Sequence, residues 1–335
     1  MKINKINKKI YKDYAIKYNF FAGAILEITS ICNFSCIHCY NAVAKKNVSF
    51  EDITVIANQL ENMGVIYLTL TGGEILFVPN FDEIYLYLRS RGFIITLFTN
   101  LSLVKKHLEV LKKNRPFRIS GSLYGLSELE YYKFTKTKGM FGKVKDSITQ
   151  ISDNNIKLEL KVIVTKMNYE DVISGKYDRF IKKLDVDVMY DCHIFLKKDA
   201  NESPLKLRVD PVQAALVQKL YSCLSKSKIL DISPISYFCD NGNSYVYIDT
   251  NGNVSVCMKD FQFSISIFEK TENILKYIKR RAAQIKQSAK IYECNNCSMN
   301  AGCGWCPVEF EFDHEKIIKE SYLCNVRNAK MKLEG

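Results

Sequence analysis

The chain has 335 residues, of which 47% are hydrophobic, and its formal net charge is +12. This length and apolar content are sufficient for a large buried core. No apolar run approaches the roughly 18 residues of a membrane-spanning helix, and the Lys- and Asn-rich segment 1–17 lacks the apolar stretch of a signal peptide. The sequence therefore predicts a cytoplasmic protein with no membrane partner.

Cysteine is abundant, with twelve residues in the chain. In a reducing compartment such a number indicates ligation of metals or clusters rather than a disulfide framework. The positive charge is spread along the chain and is densest at 276–286, on a predicted helix. Because no nucleic-acid-binding motif accompanies it, we predict no nucleic-acid partner, although an acidic peptide remains a suitable one.

Strand-like and helix-like segments alternate from residue 24 to residue 194. The predicted strands are 24–29, 67–71, 93–99, 118–123, 158–165 and 186–194. The first predicted helix begins after Ser49, which is a suitable N-cap. Further helices are predicted over 81–91, 103–113, 141–153 and 169–184. Six β/α repeats predict the α/β class, with a partial (β/α)6 TIM-like barrel whose chemistry lies at the carboxyl ends of the strands.

Beyond residue 194 the pattern changes. A helix is predicted over 211–224, and Asn251-Gly252 between two apolar runs predicts a hairpin. The remainder is irregular and rich in cysteine, which is typical of a small unit stabilised by metal. The predicted domains are an N-terminal extension over 1–23, a barrel over 24–200, a helical connector over 201–230 and a cysteine-rich domain over 231–335.

The most informative motif directly follows the first predicted strand. Cys32, Cys36 and Cys39 are spaced so that three thiolates can hold three irons of a four-iron cluster, leaving one iron open to bind and reduce a small molecule. A zinc site is the alternative for the same triad. The second strand closes with Gly72-Gly73-Glu74, where glycines permit close backbone approach and the carboxylate can accept from an ammonium group.

Together these motifs and the repeat pattern resemble the radical SAM superfamily. The resemblance implies that reductive cleavage of S-adenosylmethionine yields a 5′-deoxyadenosyl radical, which takes a hydrogen atom from the substrate. It also implies which residues contact the cofactor. Gly72, Gly73 and Glu74 would take its amino group, and His38 would lie beside the adenine. Asn100 and Ser122 would contact the ribose or carboxylate.

The distal cysteines resemble the SPASM extension of this superfamily, which carries auxiliary [4Fe-4S] clusters. The resemblance assigns an outer cluster to Cys294, Cys297, Cys303 and Cys324, and an inner cluster to Cys239, Cys257 and Cys306. The inner set has three ligands, so substrate or Cys223 could complete it. The alternative is a zinc knuckle formed by the four cysteines between 294 and 306.

Three further residues are candidates for catalysis. Cys192 ends the sixth strand and could return a hydrogen atom to a substrate radical, as thiols do in peptide epimerases of the superfamily. Asp191 beside it could accept a proton. Cys223 lies on a predicted helix. For both cysteines the alternative is a small buried apolar side chain.

These inferences predict a radical SAM peptide maturase with a SPASM domain, which forms a thioether or carbon–carbon crosslink or another oxidised product in a ribosomally made peptide. The enzymatic alternatives are a peptide epimerase, an anaerobic sulfatase-maturating enzyme and a small-metabolite dehydrogenase. The non-enzymatic alternative is a zinc- or cluster-bearing binding protein. Expected partners are a precursor peptide, a reductant such as flavodoxin or ferredoxin, and a separate leader-recognition protein, since only residues 1–23 precede the barrel.

Overall fold

The computed structural model describes residues 8–41, 45–184, 186–221, 241–289, 308 and 321–334. Everything below concerns these parts of the chain. None of their helices is long and apolar enough to cross a membrane.

Six parallel strands form most of the sheet, and each lies beside its neighbours in sequence. They are β1 Gly23–Thr29, β2 Tyr67–Gly72, β3 Ile94–Thr99, β4 Arg118–Ser122, β5 Leu158–Ile163 and β6 Asp187–Asp191. All six strands were predicted, and β5 and β6 end earlier than expected. β6 stops at Asp191 because that carboxylate accepts hydrogen bonds from the backbone and ring of His193, which turns the chain.

Helices connect the strands. They are α1 Lys8–Lys17, α2 Phe50–Asn62, α3 Phe81–Ser90, α4 Val104–Lys113, α5 Glu128–Thr135, α6 Phe141–Asp153, α7 Tyr169–Ile173, α8 Lys176–Lys182, α9 Pro211–Tyr221, α10 Thr271–Ala289 and α11 Tyr322–Glu334. The sequence did not predict α1 or α5. The single helix predicted over 169–184 is divided into α7 and α8 by Gly175, whose φ of +71° breaks the helical path.

The first connecting helix shows why the local prediction succeeded. The Ser49 side chain accepts a hydrogen bond from the backbone N–H of Asp52 at 3.0 Å and so caps α2. Glu51 and Asp52 lie in the first turn, where the helix dipole favours acidic groups. Ile53 and Leu60 are fully buried, because their spacing sets them on the face that covers the sheet.

The sheet has two chemically different faces. The outer face is apolar and packs under the helices in one core that includes Leu26, Leu70, Leu97 and Leu160. Strand register sets the alternate residues on the opposite, inner face. The residues of this inner face that concern the site are Glu27, Thr71, Phe98, Ser120, Ser122, Glu159, Lys161 and Asp191. The inner face therefore offers polar side chains at the carboxyl ends of the strands.

The C-terminal part of the chain extends this sheet. Strands β7 Tyr245–Ile248, β8 Asn253–Ser255 and β9 Ile265–Ser266 follow β1 in the order of the sheet, and β7 runs parallel to β1. The predicted hairpin is present between β7 and β8, and its turn uses the positive φ of Gly252, +77°. The addition of these strands to the barrel sheet was not predicted, while the proposed domain boundaries stay predictions.

The basic stretch on α10 is partly used inside the protein. Lys279 donates to the backbone carbonyls of Phe20 and Asn243. Arg281 makes a bidentate contact with Asp260, with the shortest N–O distance at 2.6 Å. These two side chains join α10 to neighbouring segments, which reduces the positive surface available to an acidic partner.

Candidate active site

The segment that carries the three N-terminal cysteines leaves β1 and is held by α5. The backbone N–H of Ser35 donates to the carbonyl of Thr135 at 3.0 Å, and that of Ile37 donates to the carbonyl of Phe134 at 3.1 Å. The side chain of Phe34, which precedes both residues, is buried. An element that the sequence analysis missed therefore supports the cysteine loop.

The three thiols lie close enough to influence one another, and none forms a disulfide. Burial raises the pKa of Cys36 well above its ordinary value, and Cys39 and Cys32 raise it further. Burial also raises the pKa of Cys32, to about 11, and that of Cys39. Three thiolates in this environment would require a positive counter-charge, which iron would supply.

The arrangement of these thiols bears on the choice between a cluster and zinc. In the described parts of the chain, no three Cys, His, Asp or Glu side chains are gathered as a single metal ion would require. A four-iron cluster permits a wider separation of the three thiols, because each thiolate binds a different iron. Three thiolates are also the number of ligands that leaves one iron of such a cluster open.

Gly72 and Gly73 permit a very close approach of two backbone segments. A Cβ on Gly72 would lie 2.0 Å from the carbonyl oxygen of Thr29, and one on Gly73 would lie 2.1 Å from that of Ile31. The N–H of Gly73 donates to the Thr29 carbonyl at 2.8 Å. The glycines thus let the end of β2 pack on the start of the cysteine loop, whereas the sequence analysis assigned them only to ligand approach.

Glu74 is fully buried and already accepts three hydrogen bonds. Oε1 accepts from the backbone N–H of Leu76 at 3.0 Å and from the Thr99 hydroxyl at 2.6 Å, and Oε2 accepts from the backbone N–H of Asn100 at 2.6 Å. Burial raises the pKa of Glu74 to about 7, although these bonds oppose the shift. A carboxylate has about four acceptor positions, so one remains for an ammonium group.

Asn100 connects the end of β3 with the cysteine loop. Its amide Nδ2 donates to Oδ1 of Asn33 at 2.8 Å and lies 4.0 Å from the sulfur of Cys32. Its Oδ1 accepts from the backbone and hydroxyl of Ser102. Sequence reasoning missed Asn33 and Ser102, and the run of polar residues directly after the third predicted strand was the available signal.

His38 lies within an aromatic group. Its ring centroid is 4.8 Å from that of Phe134 and 5.3 Å from that of Tyr124. Burial lowers the pKa of His38 to about 4, so the ring is neutral at physiological pH. Its Nδ1 is buried and has no hydrogen-bond partner in the described part of the protein. An uncharged, unsatisfied ring nitrogen among aromatic rings is suited to a heteroaromatic ligand such as adenine.

Ser122 ends β4 and is joined to this aromatic group. The Tyr131 hydroxyl donates to the backbone carbonyl of Ser122 at 3.3 Å, and the Tyr131 ring packs edge-on against Tyr124. The partner of Ser122 across the strands is Lys161, whose ammonium lies 4.0 Å from the centroid of the Phe98 ring. Burial lowers the pKa of Lys161, and no described residue accepts a hydrogen bond from it. Lys161 is therefore a cation on the inner face that was not singled out from the sequence.

The candidate catalytic pair lies at the end of β6. Burial alone would raise the pKa of Asp191, but hydrogen bonds from His193 lower it overall, which makes Asp191 a weak base. Cys192 belongs to the buried core, and burial raises the pKa of its thiol to about 12. A protonated thiol is what hydrogen-atom donation requires, and this role stays a prediction.

Two of the distal cysteines fall within the described residues. Cys257 follows β8 and is half-buried, while Cys324 lies in the first turn of α11, where Asn328 Nδ2 is 3.9 Å from its sulfur. The other predicted positions lie outside the described residues: Cys223, Cys239, Cys294, Cys297, Cys303 and Cys306.

Comparison with known proteins identifies the barrel. Residues 26–174 match the family model of the Radical SAM superfamily. The subtilosin biosynthesis protein AlbA of Bacillus subtilis (strain 168) is 32% identical over 154 residues, which are 44% of this chain and 34% of AlbA. A probable GTP 3′,8-cyclase of Methanocella arvoryzae is 25% identical over 232 residues, 65% of this chain and 75% of that protein. The match thus spans about a third of the length of AlbA.

Solved structures agree on the architecture. SuiB of Streptococcus suis bound to S-adenosylmethionine matches with a TM-score of 0.69 and 17% identity, over 92% of this chain and 78% of SuiB. The protein anSMEcpe, bound to S-adenosylmethionine and the Cp18Cys peptide, matches with a TM-score of 0.70 and 16% identity, over 92% of this chain and 96% of that one. At such identities the likeness shows the fold alone, and it confirms the α/β partial barrel.

Residues 26–174 are therefore a radical SAM domain, as the sequence predicted. The family match covers 149 of the 335 residues, which is less than half of the chain. S-adenosylmethionine and an iron–sulfur cluster are the cofactors that the assignment implies.

Gly73→Ala tests the contact between β2 and the cysteine loop. The added Cβ would collide with the Ile31 carbonyl, so we expect iron content per chain after anaerobic reconstitution to fall several-fold, with the helical circular dichroism retained. Gly142→Ala is the matched control, because its Cβ would meet only an ordinary contact at 3.6 Å. Normal iron content in the Gly73 variant would contradict the proposed contact.

Glu74→Gln tests the burial of the carboxylate through pH. The pKa of Glu74 in the folded protein, about 7, lies above its ordinary value of 4.5, so its favourable contribution to stability is complete below pH 4.5 and is lost as pH rises to about 7. We expect metal-free wild type to lose about 3 kcal/mol of unfolding free energy across this window relative to the variant.

Urea unfolding at several pH values measures this difference. Glu83→Gln, at an exposed position on α3, is the control and should keep the wild-type profile. Identical pH profiles for Glu74→Gln and wild type would show that the buried carboxyl group does not titrate in this range.

Proposed function

We propose that the protein is a radical SAM peptide maturase, which makes a crosslink or another oxidative change in a ribosomally synthesised peptide. The observation that carries the proposal is the meeting of the cysteine loop, Glu74 and His38 at the carboxyl ends of the strands, beside a polar inner face. The first three provide ligands for a cluster and for S-adenosylmethionine. The inner face provides hydrogen-bonding groups for a substrate side chain.

The names of similar proteins support a peptide substrate. AlbA is a biosynthesis protein for the bacteriocin subtilosin, and SuiB has also been solved bound to the precursor peptide SuiA. A second solved protein of similar fold, anSMEcpe, holds a peptide together with S-adenosylmethionine. The shared barrel is thus compatible with peptides as well as with small ligands.

Each group at the site has a distinct task under this proposal. Cys32, Cys36 and Cys39 would hold the cluster, which in its reduced form would supply the electron that cleaves S-adenosylmethionine to a hydrogen-abstracting radical. Glu74 accepts from the cofactor's amino group with its remaining acceptor position. His38 and the rings around it hold the adenine and exclude water. Asn100 and Ser122 orient the ribose or carboxylate.

The C-terminal cysteines extend the proposal. Cys257 and Cys324, with the distal cysteines outside the described residues, hold one or two auxiliary [4Fe-4S] clusters that ligate substrate or take an electron from the product radical. The protein works in the cytoplasm, where flavodoxin or ferredoxin supplies the electron. A separate leader-recognition protein or the barrel surface recognises the precursor.

Cyclisation of GTP is the second candidate. It is favoured by the match to the Methanocella arvoryzae protein, which extends over more of this chain than the match to AlbA. The seven distal cysteines and the resemblance of their spacing to the SPASM extension favour the peptide instead. Direct incubation with GTP separates the two functions.

Anaerobic reconstitution tests the proposal. The wild-type protein should be brown, contain iron and sulfide, and form 5′-deoxyadenosine from S-adenosylmethionine after reduction. Cys36→Ala should lower this product at least about a hundredfold, because the cluster then loses one of its three thiolate ligands. Cys192→Ala, which leaves the triad intact, is the matched control and should still form it.

Co-expression with short peptides encoded beside the gene tests the substrate. A loss of two hydrogens by mass spectrometry supports a crosslink or oxidation. An unchanged mass with uptake of deuterium indicates epimerisation. Consumption of GTP with no change in any peptide would replace the proposal with the cyclase function, and a colourless zinc protein would refute both.

Lys161 tests whether the substrate uses the inner face of β5. Removal of its ammonium in Lys161→Met should lower kcat/KM for the peptide about tenfold, since a hydrogen bond to a charged group contributes roughly 1.5–3 kcal/mol. Lys161→Arg keeps the charge and should retain most of the activity. Formation of 5′-deoxyadenosine without peptide should be unchanged in both, and an unaffected kcat/KM in the methionine variant would place the substrate elsewhere.

A further inference from the structure

A buried ion pair lies directly beside the cysteine loop. Glu27 is on the inner face of β1 and is only 2% exposed. Its Oε2 is 3.5 Å from the ammonium of Lys198, and its Oε1 accepts a hydrogen bond from the Tyr40 hydroxyl at 3.2 Å. Tyr40 directly follows Cys39, so the pair touches the residue next to a predicted cluster ligand.

Lys198 joins three distant segments. Its ammonium donates to the hydroxyl of Tyr247 on β7 at 3.1 Å and lies 5.5 Å from the ring centroids of both Tyr40 and Tyr247. Its backbone N–H donates to the carbonyl of Tyr40 at 2.9 Å. The side chain is only 10% exposed, so the charge is held in place rather than solvated.

Both charged groups contact Tyr40, the residue that directly follows Cys39. The ion pair therefore holds a positive and a negative charge beside the same predicted ligand. Neither Glu27 nor Lys198 is among the residues proposed to bind S-adenosylmethionine or the substrate.

Stability alone is a weak reason for such a pair. The cost of removing two charges from water commonly equals or exceeds their attraction, and replacing buried pairs by apolar residues is often neutral or stabilising. The reduction potential of an iron–sulfur cluster, in contrast, depends directly on nearby charge, hydrogen bonding and exposure.

We propose that Glu27 and Lys198 are positioning residues that set the reduction potential of the cluster held by Cys32, Cys36 and Cys39. The fixed charges act through Cys39, and the hydrogen bonds of Tyr40 and Lys198 keep the third cysteine at a constant distance from them. The inference rests on the cysteine assignment and is independent of whether the substrate is a peptide.

Charge-changing variants give opposite predictions. Glu27→Gln removes a negative charge and makes addition of an electron easier, so the midpoint potential should become more positive. Lys198→Met removes a positive charge and should make it more negative. The double variant Glu27→Gln/Lys198→Met is neutral and should return toward the wild-type value.

The measurement is a redox titration of the reconstituted full chain, monitored by electron paramagnetic resonance. The signal that changes when S-adenosylmethionine is added reports the cluster with an open iron, which separates it from any auxiliary cluster. Glu159→Gln is the control, because Glu159 is also buried and paired, with Arg118 at 2.9 Å, but lies on β5. Its potential should match the wild type.

Opposite shifts in the two single variants, with recovery in the double variant, support the proposal. Shifts of the same sign in the two single variants would overturn the proposal. Unchanged potentials with lower thermal stability or iron content would also overturn it, because the pair would then have a purely structural role. Should one single variant fail to fold, the sign of the shift in the other decides. Because no peptide is used, this result is independent of the proposed function.

Discussion

The site depends on the buried carboxylate of Glu74. It accepts from the backbone of Asn100, from the hydroxyl of Thr99 and from the turn that follows it, so one side chain joins the ends of β2 and β3. The glycines before it bring β2 against the cysteine loop, with the N–H of Glu74 donating to the Ile31 carbonyl at 2.9 Å. A ligand bound between these segments would meet groups whose positions are already determined by one another.

The outer face of the sheet contributes to stability, and the inner face carries the candidate site. The outer face is buried under the helices and supplies most of the apolar core. The inner face carries charge at both sides of the barrel, with Glu27 near β7 and Glu159, Lys161 and Asp191 near β6. Since the core does not need these polar residues, they are available to bind ligands. Function in this fold resides in such site residues and not in the barrel itself.

Tertiary contacts bring together the aromatic and ionic groups around the cysteine loop. Tyr124 and Phe134 stack at 4.9 Å and pack on His38, although they belong to the loop after β4 and to α5. Lys198 reaches Glu27 across a separation of 171 residues, 198 minus 27. Propensity and spacing report on neighbours along the chain, so neither contact could be read from local patterns.

Local sequence patterns predicted the six strands, most of the helices between them, and the close spacing of Cys32, Cys36 and Cys39. Those features follow from hydrophobic periodicity, capping and short-range spacing, which are properties of adjacent residues. Three features could be seen only in the folded chain: β7 pairs with β1, α5 supports the cysteine loop, and Gly73 permits the close backbone contact. These depend on hydrogen bonds and close packing between segments distant along the chain.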